Sequence, residues 1–219
     1  MSLKAVFFDF DGTLVDSEIF FRDFWIGACR DNGFDLSTEQ ELYLRSLDHQ
    51  LTEEYFHKLF GPSASYEKIY ESRDRIRNET FKTKRFGLKE GALEALRFLH
   101  DELNIPCYVV SSSSLDYVIE HSTRLGIKDY FTDIISVRGE KRGKPFPYVY
   151  LRALEKAHLN KDEVIVIEDS PNGVRSAYNA GIKTIFVKDL SEADDEIREK
   201  SIYQLDNLNQ LIDVLKKEI

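Results

Sequence analysis

The chain has 219 residues, of which 42% are hydrophobic and 32% are charged, a composition typical of a globular protein with a sizeable core. Its formal net charge of -9 disfavours a general nucleic-acid binder and a protein that binds anionic membranes. The sequence has neither an apolar stretch of membrane-spanning length nor an N-terminal signal-peptide pattern. Cys29 and Cys107 lie within apolar patterns and outside any CxxC spacing, so we expect two buried, reduced thiols and a cytoplasmic protein.

The first predicted element is a buried strand over residues 3–8, which is continuously apolar, aromatic and β-branched. A helical region follows it, because Phe21, Trp25 and Cys29 recur at four-residue spacing and form one apolar face. Three further helices are expected in this region: one that opens at a capping box over 38–41, one over 51–60, and a long one that follows Ser65 and extends toward Phe81. The pattern predicts a small helical bundle directly after the first strand.

From Phe86 onward, predicted helices and strands alternate. The strands are expected over 106–110, 131–137, 163–167 and 182–187, and the helices over 93–103, 117–125, 148–157, 174–180 and 205–215. Repeated βα units are typical of a parallel sheet covered by helices. The fold class expected is therefore α/β: a three-layer, Rossmann-like parallel sheet core of residues 1–15 and 86–219, with an α-helical cap domain inserted over residues 16–85.

Polar residues stand at the ends of three predicted strands. Asp9 and Asp11 end the first, Ser111 ends the second, and Glu168 with Asp169 ends another. Ligands of parallel sheets bind beyond the carboxyl ends of the strands, so these side chains should converge on one edge. Four carboxylates so close repel one another unless they are compensated, and an oxygen-rich site suits Mg²⁺. Taken singly, each motif is equally compatible with an Asp-rich turn or an acidic helix N-terminus.

Two further segments fit an anion site. The serine run 111–114 lies between a strand and a helix, where hydroxyls and amides can bind an anion or simply cap the helix. Lys144 lies in a loop stiffened by Pro145 and Pro147. It could neutralise the carboxylates and hold a phosphate oxygen, or it could be a surface lysine before a helix that begins at proline.

In this order, the motifs resemble those of the haloacid dehalogenase superfamily, in its branch with a helical (type C1) cap, which holds β-phosphoglucomutases and phosphoglycolate phosphatases. The matching segments are Asp9-Phe10-Asp11-Gly12-Thr13, Ser111 after an apolar strand, Lys144-Pro145, and Glu168-Asp169-Ser170-Pro171-Asn172-Gly173. One departure is Tyr148 after Pro147, where the family often has Asp; we expect this change to affect helix capping only.

The resemblance implies a Mg²⁺-dependent phosphatase, a phosphoric monoester hydrolase that acts through an aspartyl-phosphate. Asp9 would be the nucleophile and Asp11 the general acid and base. The implied metal ligands are Asp9, the carbonyl of Asp11, and Asp169, with Glu168 supporting them through water, while Ser111, Ser112 and Lys144 would bind the phosphoryl oxygens. The substrate would be a small phosphorylated metabolite, a sugar phosphate or phospho-acid, without nucleic acid, membrane or obligate protein partner.

Other functions stay open at this point. A β-phosphoglucomutase-like mutase is the alternative, although mutases tend to carry histidine in the first cap helix and a hydrophobic residue after Asp-Gly, where this chain has Phe21 and Thr13. A dehalogenase would lack the second aspartate, Asp11. A catalytically silent binding module is disfavoured because the set of motif residues is intact.

The substrate contacts are expected at Thr13, Glu18, Phe21, Arg45 and Arg77, with His49 and Arg73 as further candidates. Arg45 or Arg77 could meet a second anionic group of the substrate. The alternative is a solvated helix face with charge pairs, such as those of Arg73 and Arg77 with Asp74.

Overall fold

A six-stranded parallel sheet lies at the centre of the computed structural model, which describes residues 3–137 and 142–218. The strands are β1 Ala5–Phe8, β2 Cys107–Ser111, β3 Phe131–Ser136, β4 Val164–Glu168, β5 Lys183–Val187 and β6 Tyr203–Leu205. Their order is β3-β2-β1-β4-β5-β6, and every pair of neighbours is parallel. Strands β2 and β3 are added on one side of β1, and strands β4 to β6 on the other. In such sheets, ligands bind at the carboxyl ends of the strands where the order reverses, here at β1.

Apolar clusters cover both faces of this sheet. Val6 and Phe8 of β1 belong to one cluster, and Ala5 and Phe7 belong to the other. Successive side chains of a strand point to opposite faces, so a strand covered on both sides needs apolar residues at every position. The helix–sheet–helix layering confirms the predicted α/β, Rossmann-like fold class.

Ten α-helices accompany the strands in the described residues. They are α1 Glu18–Asp31, α2 Thr38–Leu42, α3 His49–Phe60, α4 Tyr66–Thr83, α5 Ala92–Arg97, α6 Leu115–Arg124, α7 Tyr148–Ala157, α8 Pro171–Asn179, α9 Asp195–Lys200 and α10 Asn209–Glu218. Helix α5 continues into a π-helical turn, Phe98–Glu102.

Helices α1 to α4 form a helical insertion, residues 18–83, between β1 and α5. They pack around an apolar cluster of their own, which includes Cys29, Phe56 and Ile69. As expected, Ser65 caps α4. The capping box of α2 is formed by Ser37 and Gln40, one residue earlier than the sequence pattern suggested. The division into two domains, 16–85 and the remainder, stays a prediction.

Asp48 joins the helical insertion to the loop of Lys144. Its Oδ1 accepts hydrogen bonds from the amides of Gln50 (3.0 Å) and Leu51 (3.3 Å) at the start of α3, and its Oδ2 accepts from the Gly143 amide at 2.6 Å. The Asp48 amide in turn donates to the Lys144 carbonyl at 2.7 Å. One residue therefore caps a helix of the insertion and fixes the loop that contains Lys144.

Two elements near the C-terminus were not predicted. Helix α9 and strand β6 lie between the predicted strand over 182–187 and the predicted closing helix over 205–215, where no element was expected. Leu205, predicted to begin the closing helix, belongs to β6, and the last helix begins at Asn209. Strand β6 has only three residues at the sheet edge, too few for a hydrophobic period. Throughout the part of the chain that the structure describes, every helix is too short or too polar to cross a membrane.

Candidate active site

Asp9 and Lys144 form the centre of the candidate site. Asp9 directly follows β1 and is 3% exposed, and Lys144 is completely buried. The Lys144 Nζ donates to Asp9 Oδ1 at 2.6 Å and to Glu168 Oε1, at the end of β4, at 2.5 Å. Tyr150 of α7 also donates to Glu168 Oε1, at 2.5 Å. Lys144 is thus a buried cation shared between two strand-end carboxylates.

Asp169 lies beside this pair and is held from two sides. The Thr13 hydroxyl donates to Asp169 Oδ1 at 2.8 Å, and the Arg45 guanidinium forms an ion pair with Asp169 Oδ2. Arg45 is buried and also contacts Asp189 Oδ2 at 2.8 Å and Ser191 Oγ at 3.0 Å. Thr13, expected as a substrate contact, is completely buried and positions Asp169.

Asp11 accepts three hydrogen bonds from hydroxyl groups. Ser17 Oγ donates to Oδ1 at 2.7 Å, Ser113 Oγ to Oδ2 at 2.7 Å, and Tyr117 Oη to Oδ1 at 3.0 Å. None of these three donors was singled out for this role from the sequence. Ser113 lies in the serine run, and Tyr117 lies four positions after it, on α6. Asp11 is therefore fixed in orientation by residues that three different segments supply.

A cavity of about 940 Å³ opens above these residues. Asp9, Asp11, Ser111 and Ser112 line its floor, and residues of the helical insertion line its opposite wall. Ser111 is 1% exposed and its Oγ accepts the Ser113 amide at 3.0 Å. The volume is in the range of sites that enclose a metabolite-sized ligand.

The helical insertion and the segment leading into it supply the remaining sequence candidates. Glu18, Phe21, Arg45 and Arg77 all line the cavity. Glu18 is 7% exposed, and its Oε2 lies 3.5 Å from Arg45 Nε, an ion pair without a hydrogen bond, since this Nε has no hydrogen-bond partner among the described residues. Phe21 and Arg77 are partly exposed to the cavity.

Burial dominates the electrostatics of the site. It raises the pKa of Asp9 well above the ordinary value, although Lys144 pulls the pKa down, and the charges of Glu168 and Asp11 raise it further. Burial likewise raises the pKa of Asp169, against the opposing effect of Arg45. For Lys144, burial lowers the pKa, but the attraction of Asp9 and Glu168 outweighs that effect and leaves its pKa above the ordinary value. Lys144 therefore stays charged although it is buried, whereas Asp9 and Asp169 are harder to ionise than a free aspartate.

Three carboxylates are placed as metal ligands would be. Oxygen atoms of Asp9, Glu168 and Asp169 lie within 4.8 Å of one another, and all three residues are buried. Lys144 and Arg45 supply two positive charges beside these three carboxylates, so one negative charge is left uncompensated. An all-oxygen donor set with uncompensated charge fits a hard divalent cation.

Comparison with known proteins relates this arrangement to one family. A model of the haloacid dehalogenase-like hydrolases matches residues 6–187. The phosphorylated carbohydrates phosphatase of Thermotoga maritima is 26% identical over 188 residues, which cover 84% of each chain. The 6-phosphogluconate phosphatase of Escherichia coli is 26% identical over 197 residues, covering 84% of this chain and 82% of the relative. A solved structure from Bacteroides vulgatus, provisionally named a beta-phosphoglucomutase, superposes with a TM-score of 0.83 at 27% identity and covers 98% of this chain and 88% of its own.

Proposed function

The chain belongs to the haloacid dehalogenase-like hydrolase family, and on this premise we propose that it is a Mg²⁺-dependent phosphatase of a small phosphorylated metabolite. One observation supports the proposal: a buried carboxylate paired with a lysine, Asp9 with Lys144, lies on the same cavity floor as a second aspartate, Asp11, which hydroxyl groups hold in place. The phosphatases of Thermotoga maritima and Escherichia coli support the same reaction class.

Asp9 is the proposed nucleophile. Lys144 holds its Oδ1, which leaves the other oxygen of the carboxylate to attack phosphorus. A bond forms between this oxygen and phosphorus while the bond from phosphorus to the leaving oxygen breaks. Ser111, on the cavity floor, is placed to donate to the phosphoryl oxygens, whose charge the site must stabilise.

Asp11 is the proposed acid and base. In protonated form it gives its proton to the leaving alkoxide, and the resulting carboxylate then takes a proton from the attacking water. That water forms the new bond to phosphorus, the bond to Asp9 breaks, and inorganic phosphate leaves with Asp11 protonated again. The hydroxyls of Ser17, Ser113 and Tyr117 hold Asp11 in place through both steps.

The residues that would hold Mg²⁺ are Asp9, Asp169 and the carbonyl of Asp11, with Glu168 behind them. The ion supplies positive charge at the phosphoryl group when it is bound. Thr13 and Arg45 fix the orientation of Asp169 for this task. The helical insertion covers the floor and limits the access of bulk water. We place the enzyme in the cytoplasm, in keeping with its free, buried cysteines.

The first test is phosphate release from a panel of phosphorylated sugars and acids in the presence of Mg²⁺. We expect release that EDTA abolishes and Mg²⁺ restores, and that Asp9→Asn eliminates, because an amide is not a nucleophile here. Asp101→Asn, an exposed aspartate of the π-helical turn, is the matched control and should keep full activity. Residual activity of Asp9→Asn within about tenfold of the wild type would contradict the assignment.

A sugar-phosphate mutase is the second candidate, favoured by the name of the Bacteroides vulgatus neighbour. Phe21 and Thr13 favour hydrolysis, since mutases tend to carry a histidine and a hydrophobic residue at these two places. Interconversion of glucose 1-phosphate and glucose 6-phosphate without phosphate release would place the mutase first.

A further inference from the structure

We propose that the leaving group of the substrate carries a second anionic group, a carboxylate or a second phosphate, and that Arg73 and Arg77 of α4 bind it. The inference rests on the proposed function, because it assigns the cavity that contains Asp9 to a phosphorylated substrate. Four features of the molecule support it: the face of α4 that lines the cavity, the aromatic rings around Arg73, the positive local charge, and the ion pairs that already occupy the neighbouring cations.

One face of α4 lines the cavity. Its members are Tyr66, Tyr70, Arg73, Arg77 and Phe81, which follow one another at intervals of three or four residues. The face is aromatic at both ends and carries two arginines in its middle. Arginines at these positions are not needed for solubility, since the opposite side of the helix is already polar.

Arg73 lies in an aromatic cage. Its guanidinium carbon is 4.7 Å from the ring centroid of Trp25, 5.1 Å from that of Tyr70 and 6.0 Å from that of Phe21. The side chain is 14% exposed, and its Nε is buried without a hydrogen-bond partner among the described residues. The rings hold the guanidinium plane in position, and its Nε is left without an acceptor among the described residues. A buried, oriented and unsatisfied donor is what a ligand oxygen can satisfy.

The charge balance around the two arginines is positive. Asp74 is shared between them: its Oδ1 lies 3.7 Å from Arg73 Nη1 and 3.2 Å from Arg77 Nη1. In the described structure, Arg77 has only one further partner, long hydrogen bonds of 3.4 Å to Asn78 Oδ1. Two guanidiniums face one carboxylate, so one positive charge remains for the cavity. Planar guanidinium forks match carboxylate and phosphate oxygens in pairs.

The other arginines and the lysine of the cavity wall already have partners. Arg85 donates to the carbonyls of Phe81 and Lys84. Arg45 is committed to Asp169, Asp189 and Glu18. Lys82 is exposed and pairs with Glu79 at 2.6 Å, outside the aromatic cage. We therefore assign the second anion to Arg73 and Arg77, whereas the sequence alone left Arg45 and Arg77 as equal candidates.

If Arg73 only packs against Trp25 and binds no substrate, the expected effect of replacing it is different. Loss of packing would weaken the enzyme toward every phosphorylated compound alike. An anion subsite predicts a loss confined to compounds that carry the second charge. Substrate pairs that differ only in that charge separate these two roles.

The test compares 6-phosphogluconate with glucitol 6-phosphate, which has a hydroxymethyl group in place of the carboxylate, and fructose 1,6-bisphosphate with fructose 6-phosphate. Calorimetric titration of the Asp9→Asn variant with Mg²⁺ measures affinity without turnover. We expect the doubly anionic member of one pair to bind about 10- to 100-fold more tightly, the range of a charge-assisted hydrogen-bond pair. The first pair tests whether the second anionic group is a carboxylate, and the second pair tests whether it is a phosphate.

Arg77→Gln and Arg73→Gln, each introduced into Asp9→Asn, should remove most of this preference and leave the singly charged members within about twofold. Arg75→Gln is the matched control, because Arg75 lies on the same helix but is exposed and pairs with Asp31 at 2.5 Å. Equal affinities within both pairs, or an equal loss for both members in the arginine variants, would overturn the subsite. Absence of phosphate release by the unmodified enzyme would instead refute the phosphatase assignment, and the affinity ratios would still decide the subsite.

Discussion

Replacing Lys144 by methionine removes the buried cation between Asp9 and Glu168. Methionine keeps most of the side-chain volume, so the change isolates the charge and its two hydrogen bonds, at 2.6 and 2.5 Å. Both carboxylates are almost completely buried, with side-chain exposures of 4% and 0%. Removing one partner of a buried ion pair costs about 3–5 kcal/mol, because it leaves uncompensated charge in the interior.

For a chain of this size, each kcal/mol corresponds to about 2–4 °C in Tm. We therefore expect Lys144→Met to lower Tm by roughly 6–20 °C. The assays are thermal unfolding, which gives Tm, and urea unfolding, which gives the free energy of unfolding, both in EDTA so that no divalent cation replaces the lysine. Lys183→Met is the control: its partner Glu218 lies at 2.7 Å, but the lysine is 60% exposed, and such a pair is worth about 0–1 kcal/mol.

The penalty should also depend on pH, with a defined sign. The pKa of Asp9 is already raised in the folded protein, and loss of Lys144 removes the charge that opposes this rise. A carboxyl whose folded-state pKa lies above its unfolded value of about 3.9 contributes stability at low pH, which is lost as the pH rises toward the folded pKa. The free-energy loss of Lys144→Met should therefore be larger at pH 8 than at pH 5. A loss below about 1 kcal/mol, like that of the control, or a larger loss at pH 5, would refute the reasoning.

Two further predictions concern close packing and thiol burial. A Cβ at Gly173 would overlap the carboxylate of Glu168, so Gly173→Ala should lower the free energy of unfolding in urea by about 1–3 kcal/mol. Gly87 lies in open space, so Gly87→Ala is the control and should change that free energy by less than about 0.5 kcal/mol. Equal effects of the two substitutions would contradict the close packing at Gly173. Burial raises the pKa of Cys29 and Cys107 to about 12, so neither thiol should react with Ellman's reagent at pH 8 in the native protein, and both should react in urea. Fast labelling of the folded protein would show that the thiols are accessible.

The sequence predicted the elements of the sheet whose pattern is local and strong. Strand β1 was recognisable because apolar residues fill both of its faces, and α4 because Ser65 caps a long periodic run. Strand β6 and helix α9 were missed for the opposite reason. Helix α9 has six residues with a single buried hydrophobic side chain, Ile197, so pairing and packing with distant segments decide its structure.

Some contacts of the candidate site could likewise be predicted from the sequence and others could not. The residues at strand ends, such as Asp9 and Glu168, could be predicted because parallel topology alone brings strand ends together. The donors Ser113 and Tyr117 could not be predicted, since they lie more than a hundred positions from Asp11 and only tertiary packing brings them to it. The role of Arg45 was also out of reach, because its partners Asp169 and Asp189 lie more than a hundred residues away and no local pattern reports such a contact.

The double use of the Asp48 carboxylate limits how this protein can be recombined with its relatives. One oxygen caps α3 and the other accepts the Gly143 amide, next to the lysine that holds Asp9. Asparagine offers a single acceptor oxygen and serine a single hydroxyl, so neither serves both partners. A chimera that exchanges the helical insertion must therefore carry an aspartate at this position together with a matching Gly-Lys loop. The insertion and the loop therefore have to be exchanged together, although 95 positions separate Asp48 from Gly143 in the chain.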